Sequence, residues 1–537
     1  MINGDATLAQ EVAVAITRWN PPTKPSTRER FILKRCRRNR RLFAFLREHR
    51  HELFDDELQT ELEAMYRDTG AGKEPVPPAL MAMALILQGY HRVSDAEAVE
   101  LTVVDLRWQM VLDRVGAEEP AFSQGALFDF RERMIAADMD KRMLERTARV
   151  ARSSKGFDAR KLPKTLRVAV DSSPLEGAGR VEDSINLIAH AARKVVDAVA
   201  DILEVDFDEV CQRAGIPLLK HSSVKKALDR DWSDPQQQAA AIDELARQVL
   251  SLERWIDEHL ADALTEPKLD GLLRALDRLV TQDLEPDPDG GGVRIADGVV
   301  SDRQISVEDP QMRHGRKTKS RTIKGYKRHV ATDLDRDAIV SCVVMPANQA
   351  EHEALPVVKA DLRDQGLSID EVHFDLAYLG SPAVAEILSE GGKIVSKPWP
   401  TRNGDRFTKE DFQLDLDAET ITCPNGITLP VILGQTVSFP AGSCESCELR
   451  ASCTTSTSGR SVHIASNESL LMQLREALAS PGGRERLRER VAVEHSLAHV
   501  SQRQGHRARY RGVRKNTFDL RRTGAIMNLE ITQRKAA

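Results

Sequence analysis

The chain has 537 residues, of which 41% are hydrophobic and 30% are charged, with a formal net charge of −5. This length predicts several domains of ~150 residues each and enough apolar surface for a sizeable core. Its apolar runs are shorter than the ~20 residues of a membrane span, which excludes a membrane channel. Its seven cysteines are too few for a disulfide framework, and it opens without a secretory signal. The sequence therefore excludes a secreted mini-protein and predicts a cytoplasmic globular protein.

The first 150 residues predict an all-helical domain. Its four helical stretches are 28–68, Ala79–Gln88 after a Gly/Pro-rich turn at Gly70–Pro78, a stretch from the capping box Ser94 and Glu97 to Val104, and Leu127–Leu144 capped by Ser123. The stretch at Ala79–Gln88 is apolar on all sides, so we expect this helix to be buried.

A mixed α/β core is predicted to follow. Leu166–Asp171 is a run with β-branched residues that ends on a carboxylate, and Glu371–Asp375 ends on an aspartate in the same way. The other predicted core elements are strands at Lys327–Asp333, Ala338–Met345 and Lys393–Lys397 and a helix at Pro382–Glu390. The core thus comprises residues 160–184 and 291–400, separated by a helical insertion over residues 185–290.

The C-terminal third contains a small β-rich insertion at residues 401–465 that holds four of the seven cysteines, Cys423, Cys444, Cys447 and Cys453. Cys444 and Cys447 form a Cys-x2-Cys pair, a usual half-site for tetrahedral zinc, whereas the other two lack the usual spacing. Two interpretations stay open: a structural zinc site, or four reduced thiols without a metal. Residues 466–537 predict C-terminal helices of the core and a basic tail.

The net charge hides an uneven distribution of charged residues. Residues 201–290 hold 21 Asp/Glu against 10 Lys/Arg, and a Pro/Gly-rich linker at Glu285–Gly292 ends this acidic segment. Basic residues concentrate in three blocks: 28–50 with 10 Lys/Arg against 2 Glu, 311–330 with 8 and no acid, and 484–522 with 12 against 4 acids. One such block is typical of a solvated face, but three on an acidic chain predict a polyanionic partner, with nucleic acid the leading candidate.

Two aspartates at strand ends are what a metal-dependent phosphoryl-transfer site requires. Fixed carboxylates hold two ions about 4 Å apart, one activating the attacking oxygen and the other stabilising the leaving oxygen. Oxygen ligands of this kind suit Mg²⁺ or Mn²⁺. An aspartate is also common after a strand for turn reasons, so the strand ends alone leave both interpretations open for Asp171 and Asp375.

Several short motifs follow one another in a characteristic order. They are Val76-Pro-Pro78, Leu-Gln-Gly-Tyr90, Val-Ala-Val-Asp171-Ser-Ser, Lys324-Gly-Tyr-Lys-Arg-His-Val330, Met345-Pro-Ala-Asn348 and His373-Phe-Asp375-Leu-Ala-Tyr378. Together they resemble the transposases of bacterial insertion sequences, which have a DDE active site. The resemblance covers most of the chain and implies an α/β, ribonuclease-H-like mixed sheet core with a helical N-terminal transposase domain.

The resemblance places the third carboxylate on a late helix. Arg490-x3-Glu494 matches the centre of the family's Tyr-x2-Arg-x3-Glu-x6-Lys signature, while Leu487 and Ser501 stand where Tyr and Lys are expected. Helix phase favours the same residue, because at ~100° per residue Glu494 lies on the apolar side of one continuous helix and Glu489 lies opposite.

The resemblance implies a DNA transposase that cuts at element ends and joins 3′-hydroxyls to target DNA. Its catalytic residues, holding Mg²⁺ or Mn²⁺, would be Asp171, Asp375 and Glu494. Its DNA ligands are predicted at Tyr326, Lys327, Arg328, Arg490, Arg507 and Arg511. Its partners would be terminal inverted repeats, target DNA and further copies of the chain, because two ends must be joined, which predicts a nucleoid-associated protein.

Two alternatives stay open on the sequence alone. One is a ribonuclease-H-like nuclease that cuts DNA without joining it, and the other is a domesticated DNA-binding protein. The set of three carboxylates favours an enzyme over a binding protein. The chain has no Gly-rich nucleotide-binding loop, so coupling to ATP is not indicated.

Overall fold

The computed structural model describes residues 16–66, 74–153, 162–288, 292–298, 300–317 and 320–536. The turn predicted at Gly70–Pro78 and the linker predicted at Glu285–Gly292 lie partly outside these ranges. In the described part of the chain, no helix is both long enough and apolar enough to cross a membrane. The protein is a mixed α/β structure with a helical N-terminal region and a mixed sheet.

Helices alone form the described part of the N-terminal region. They are α1 (Thr27–Asn39), α2 (Arg41–Leu53), α3 (Asp56–Glu63), α4 (Pro78–His91), α5 (Asp95–Val104), α6 (Leu106–Val111), α7 (Gln124–Ala136) and α8 (Met139–Arg152). The sequence predicts α7 and α8 as one helix over Leu127–Leu144. Asp138, whose φ of 54° is left-handed, separates them.

Local capping signals begin the helices where the sequence predicts them. The Ser94 hydroxyl accepts a hydrogen bond from the Glu97 amide at 3.2 Å, and Ser123 caps α7. Over its described residues, 28–66, the single helix predicted for residues 28–68 is instead three helices, because the backbone leaves the helix at Arg40 and a new helix begins at the cap Asp55.

The first core strand and the helical insertion come next. These elements are β1 (Thr165–Glu176), α9 (Ser184–Leu203), α10 (Phe207–Arg213), α11 (Val224–Leu228), α12 (Pro235–His259), α13 (Pro267–Asp283), β2 (Leu284–Pro286) and β3 (Val293–Ile295). The amphipathic helices bury a core of their own around Val195, Leu252 and Leu276. The predicted linker begins within β2, which pairs with β3 as a short hairpin.

The remaining strands complete a six-stranded sheet. Its elements with their helices are β4 (Arg313–Arg316), β5 (Thr322–Asp333), β6 (Ile339–Pro346), α14 (Ala354–Asp364), β7 (Ser368–His373), α15 (Pro382–Ser389) and β8 (Lys393–Val395). The strand order is β4-β5-β1-β7-β8, with β6 pairing along β5 beyond β4. Strand β1 is antiparallel to β5 and parallel to β7. Its Val168 and Val170 are fully buried, as expected for a strand covered on both faces.

A small module and the last helices end the chain. The module contains β9 (Gln413–Asp415), β10 (Thr420–Thr422), β11 (Thr428–Pro430), β12 (Thr436–Ser438), α16 (Ala441–Glu445), α17 (Arg450–Cys453) and β13 (Ser461–His463), and it precedes α18 (Glu468–Ala479), α19 (Gly483–Arg488), α20 (Val491–Gln504) and α21 (Val513–Ala536). Phe518 and Ile526 of α21 complete the core of the N-terminal helices, whereas Leu520 and Met527 pack with Cys342 of β6. Helix α21 therefore joins the helical region to the sheet.

Candidate active site

Asp171 of β1 and Asp375, two residues after the end of β7, lie at the same height beside neighbouring strands. Strands β1 and β7 are parallel, and their register pairs Ala169 with His373, two residues before each aspartate. Strand β1 continues to Glu176 along β5, but its pairing with β7 ends at Ala169, so both aspartates lie just beyond that pairing and the charge of Asp375 acts on Asp171. Asp375 also accepts a hydrogen bond from the Ala377 amide at 2.9 Å. Asp375 therefore both stabilises the turn after β7 and contributes, with Asp171, to a group of acids that we call the carboxylate cluster.

Arg490 links Asp171 to Glu494. Its guanidinium donates to Asp171 Oδ2 at 3.0 Å and pairs with Glu494 Oε1 at 2.9 Å. Glu494 lies one helical turn after Arg490 on α20, and its side chain is 49% exposed, compared with 15% for Asp171. The fold therefore brings the predicted third carboxylate to the sheet edge that carries the two aspartates.

The prediction of one continuous helix around Glu494 is wrong. Helix α19 ends at Arg488 and α20 begins at Val491, and the junction contains an i→i+3 hydrogen bond from the Ala492 amide to the Glu489 carbonyl at 3.2 Å. A turn of this type advances ~120° per residue instead of ~100°, so helix faces counted across the junction are rotated. Within α20 itself the buried residues are Val493, Leu497, Val500 and Gln504, a face that lies ~90° away from Glu494 at ~100° per residue. Glu494 therefore contacts Arg490 as a half-exposed side chain and not from the buried face.

Burial and neighbouring charges raise the pKa of Asp171 to about 6. Burial is the main cause, and the charges of Asp375 and Glu351 act in the same direction, whereas the Ser172 amide and Arg490 act to lower the pKa. A buried carboxylate surrounded by other carboxylates is most favourable with a cation beside it. The cluster therefore has the electrostatics of a cation-binding site.

Glu351 is an acid of this cluster that the sequence motifs do not predict. It opens a short 3-10 turn that packs against the turn Leu376–Tyr378 after β7. Its carboxylate lies 4.0 Å from Lys327 Nζ. The motif Met345-Pro-Ala-Asn348 ends three residues earlier, so the sequence marks this segment without showing where its acid lies.

A buried tyrosine–histidine pair adjoins the carboxylates. The Tyr378 hydroxyl contacts His329 Nδ1 at 2.7 Å, and both side chains are buried. Burial, with the charges of Glu351, Asp171 and Asp375, raises the pKa of Tyr378 well above its usual value. Burial lowers the pKa of His329 to about 3. Both groups are therefore neutral at physiological pH and supply hydrogen bonds without charge.

Three predicted DNA ligands, which the sequence places at the opening of a strand, lie in the middle of β5 and are buried. Tyr326 and Arg328 have no exposed surface, and Lys327 is 8% exposed. The Tyr326 hydroxyl donates to Asp309 at 2.6 Å. The basic composition of residues 311–330 indicates a surface, but β5 lies inside the sheet between β1 and β6. Tyr326 and Arg328 thus have no surface to offer a DNA phosphate in this structure.

The other two predicted DNA ligands outside the cluster, Arg507 and Arg511, are exposed. Arg507 donates to the carbonyls of Gly177 and Ala178 at 3.3 and 3.1 Å. Arg511 is paired with Glu308 at 3.0 Å. Both retain surface towards solvent, so their role as DNA ligands stays a prediction.

Two family models match separate parts of the chain. The Transposase DDE domain matches residues 422–531, and the Transposase domain (DUF772) matches residues 30–133. The two matches together indicate a DDE transposase of an insertion sequence. No curated protein and no solved structure shows a significant match. The DDE match of the transposase includes Arg490 and Glu494, while Asp171 and Asp375 lie outside both matches.

The transposase contains a second cluster of acids and histidine. Among the residues that the structure describes, the ligand atoms of Glu371, His373 and Glu489 lie within 4.8 Å of one another. Arg167 pairs with both glutamates, and Arg486 pairs with Glu371. Burial opposes the shift, yet hydrogen bonds from His373 and Arg486 lower the pKa of Glu371 to about 2. These arginines already neutralise the acids, so the cluster acts as an ion-pair network that fixes α19 to the sheet.

The four cysteines of the transposase module line one small cavity. All four are free, partly buried thiols. Burial raises the pKa of the Cys453 thiol and Arg460 lowers it, while Cys444, Cys423 and Cys447 contribute to raising it. The fold therefore brings Cys423 and Cys453 to the Cys-x2-Cys pair, which their spacing in the sequence does not indicate.

Proposed function

We propose that the transposase hydrolyses phosphodiesters at the ends of its element and joins the freed 3′-hydroxyls to target DNA. Asp171, Asp375 and Glu494 are the proposed ligands of two Mg²⁺ or Mn²⁺ ions. The observation that carries the proposal is the bridge from Arg490 to Asp171 and Glu494. This bridge connects the DDE-matched end of the chain to the sheet edge with both aspartates.

The donor set fits hard divalent cations. All proposed ligands are carboxylate oxygens, which Mg²⁺ and Mn²⁺ prefer. With Glu351, the described cluster has four carboxylates, and the cations in contact with it are Arg490 and Lys327. The cluster thus has an excess of negative charge. Bound ions would activate the attacking oxygen and stabilise the leaving oxygen.

Protein side chains at the cluster would orient the substrate. Asp171 Oδ1 accepts a hydrogen bond from the Ser172 amide at 2.7 Å, which fixes the carboxylate. Arg490 is 27% exposed at the edge of the cluster. Its fork of donors suits a phosphate oxygen as well as a carboxylate, so Arg490 would hold the phosphate beside the cut. Tyr378 and His329 would keep one wall of the site uncharged.

We further propose that the mixed sheet is a ribonuclease-H-like core. Support comes from a central strand, β1, that has an antiparallel neighbour on one side and a parallel neighbour on the other and carries the first aspartate. In this division the catalytic core is residues 160–184, 291–400 and 466–537, the DNA-binding domain is residues 1–150, and the insertions are residues 185–290 and 401–465.

A strand-joining assay tests this function. Full-length protein with Mg²⁺ is expected to join precut duplexes, ending in the inverted repeats that flank its gene, to a plasmid, and to form no joined product in EDTA. The joining complex is expected to contain two DNA ends and more than one chain. Cutting without joining would indicate a nuclease, and binding without either reaction would indicate a domesticated DNA-binding protein.

We also propose a structural zinc ion bound by Cys423, Cys444, Cys447 and Cys453. Thiolates are ligands that zinc prefers. In the described residues no three of these sulfurs lie within 4.8 Å of one another, so Zn–S bonds of ~2.3 Å would draw them together. The module has six buried hydrophobic residues, a small core to which metal binding would add folding free energy.

Metal analysis of the purified protein is expected to find about one zinc ion per chain. Cys444→Ser should release the ion and increase the rate of proteolysis within residues 401–465. Cys211→Ser is the matched control, because Cys211 is buried in the separate core of the helical insertion. A zinc-free protein whose module is still protected from proteolysis would contradict the proposal.

A further inference from the structure

A basic groove runs between the N-terminal and the C-terminal helices. It has a volume of about 830 Å³, and it is lined by a single acid, Glu530, and by five arginines, Arg40, Arg92, Arg107, Arg503 and Arg534. Glu530 is paired with Arg503 at 2.6 Å, and Arg107 is paired with Asp105. The remaining arginines give the groove a positive charge that no acid of its lining balances.

The positive surface continues from Arg40 along the exposed face of α1. Residues 28–41 hold eight Lys/Arg, all of them exposed, and one acid, Glu29, which is buried against Arg47. Among the described residues, Arg37 is the one cation of these eight that forms an ion pair, and its partner is Glu48. Solvated protein surfaces usually mix both signs of charge, so a face with one sign indicates a polyanionic partner.

Helix α20 connects the groove to the carboxylate cluster. Glu494 lies in the first turn of α20, while Gln502 and Arg503 near its end line the groove. Eight residues of helix rise ~12 Å, which is about the length of four base pairs at 3.4 Å along one strand. A duplex in the groove would therefore pass within a few base pairs of the carboxylates.

We propose that this groove and the exposed face of α1 bind one backbone of duplex DNA beside the cleavage site. The inference rests on the proposed function, because it takes the carboxylate cluster as the place of cutting. Guanidinium groups without an acidic partner bind phosphates and fix the register of the duplex without reading its sequence. The excess of one charge sign favours DNA over a protein partner, whose interfaces are depleted in charge at their centre.

The triple variant Arg38→Gln, Arg40→Gln, Arg534→Gln tests the groove. All three side chains are exposed and have no ion-pair partner among the described residues. In EDTA at 0.15 M salt, affinity for a duplex of arbitrary sequence is expected to fall by roughly 10- to 100-fold, because each lost phosphate contact removes a released counterion. The plot of log affinity against log salt should become less steep by roughly 2 to 3.

A matched control replaces three exposed cations on other elements, Arg254, Lys393 and Arg402, with glutamine. This control should retain the affinity and the salt slope of the unmodified protein. A lysine version of the groove variant (Arg38→Lys, Arg40→Lys, Arg534→Lys) should restore the slope, which separates phosphate contact from a folding defect. An unchanged slope in the glutamine variant, an equal loss in the control, or no recovery with lysine would overturn the proposal.

Binding in EDTA does not depend on catalysis, so the two proposals fail separately. A protein that neither cuts nor joins DNA but loses salt-dependent affinity in the groove variant would retain the groove and refute the catalytic function. If the protein joins DNA but the groove variant binds DNA normally, the catalytic function would be retained and the groove proposal refuted.

Discussion

The Asp375→Asn protein is expected to bind end DNA normally and to lose metal-dependent cleavage by at least ~10³-fold. The amide keeps the size of the side chain but removes the charge that holds the cation. Metal-ion catalysis contributes several kcal/mol, and each 1.36 kcal/mol corresponds to a factor of ten in rate. Asp171→Asn and Glu494→Gln should give the same result, measured with a labelled end duplex for cleavage and by fluorescence anisotropy for binding.

Two further glutamates provide comparisons for this prediction: Glu489, outside the carboxylate cluster, and Glu351, within it. Glu489→Gln should retain most activity, because Glu489 pairs with Arg167 outside the carboxylate cluster. Glu351→Gln is expected to reduce cleavage less than Glu494→Gln does. If Glu351→Gln abolished cleavage and Glu494→Gln did not, Glu351 would be the third ligand and the motif match at Arg490 would be misread.

Arg328→Met is expected to destabilise the core by ~1–3 kcal/mol, the usual cost of leaving buried hydrogen-bond acceptors without a donor. The fully buried guanidinium joins β5 to both β1 and the end of α20. It donates to Ser173 Oγ at 2.8 Å, Ser501 Oγ at 2.6 Å, Gln504 Oε1 at 2.8 Å and the Gly505 carbonyl at 2.9 Å. Burial lowers its pKa to about 10, so it is charged at neutral pH, and its loss leaves these acceptors buried without a donor.

Hydrogen exchange of the α20 amides and the midpoint of urea denaturation measure this effect. The amides of α20 should exchange faster in the variant, and cleavage should fall because Glu494 is on the same helix. Arg507→Met is the matched control, since Arg507 is exposed and donates to the carbonyls of Gly177 and Ala178, and its effect should stay below ~1 kcal/mol. Equal effects of the two substitutions would show that Arg328 does not hold α20 in place.

The departure of the family signature at Ser501 has a structural counterpart. Ser501 stands where Lys is expected, and its hydroxyl accepts a hydrogen bond from Arg328. A lysine here would bring a second positive charge to the buried guanidinium. The hydroxyl instead serves as an acceptor, so this position anchors α20 to β5.

Local signals in the sequence predict the helix starts and the first aspartate strand well. The cap at Ser123 and the capping box at Ser94 satisfy backbone amides of their own helices, so a window of four residues contains the whole interaction. The strand at Leu166–Asp171 is also predicted correctly, because its β-branched residues need burial on both faces. It extends further than predicted, to Glu176, since β5 continues to pair with it.

Features that depend on contacts between distant segments cannot be predicted from such short stretches of sequence. The basic composition of residues 311–330 does not show that β5 has strands on both sides, and this decides that Arg328 is buried. The helix phase around Glu494 fails because α20 packs through Val493, Leu497 and Val500, a face ~90° away from Glu494, while Val491 stays exposed. Glu351 joins the cluster only because its turn packs on the turn after β7.

The sequence by itself determined the transposase family, the strand that carries Asp171 and the spacing of Arg490 and Glu494, because these are local patterns of residue type and spacing. The tertiary structure alone decided which charges meet. The register of β1 and β7 places Asp171 and Asp375 at the same height. Arg490, which pairs with Glu494, contacts Asp171 from 319 residues further along the chain. Such contacts depend on strand pairing and helix docking between distant segments, and so no local window of the sequence contains them.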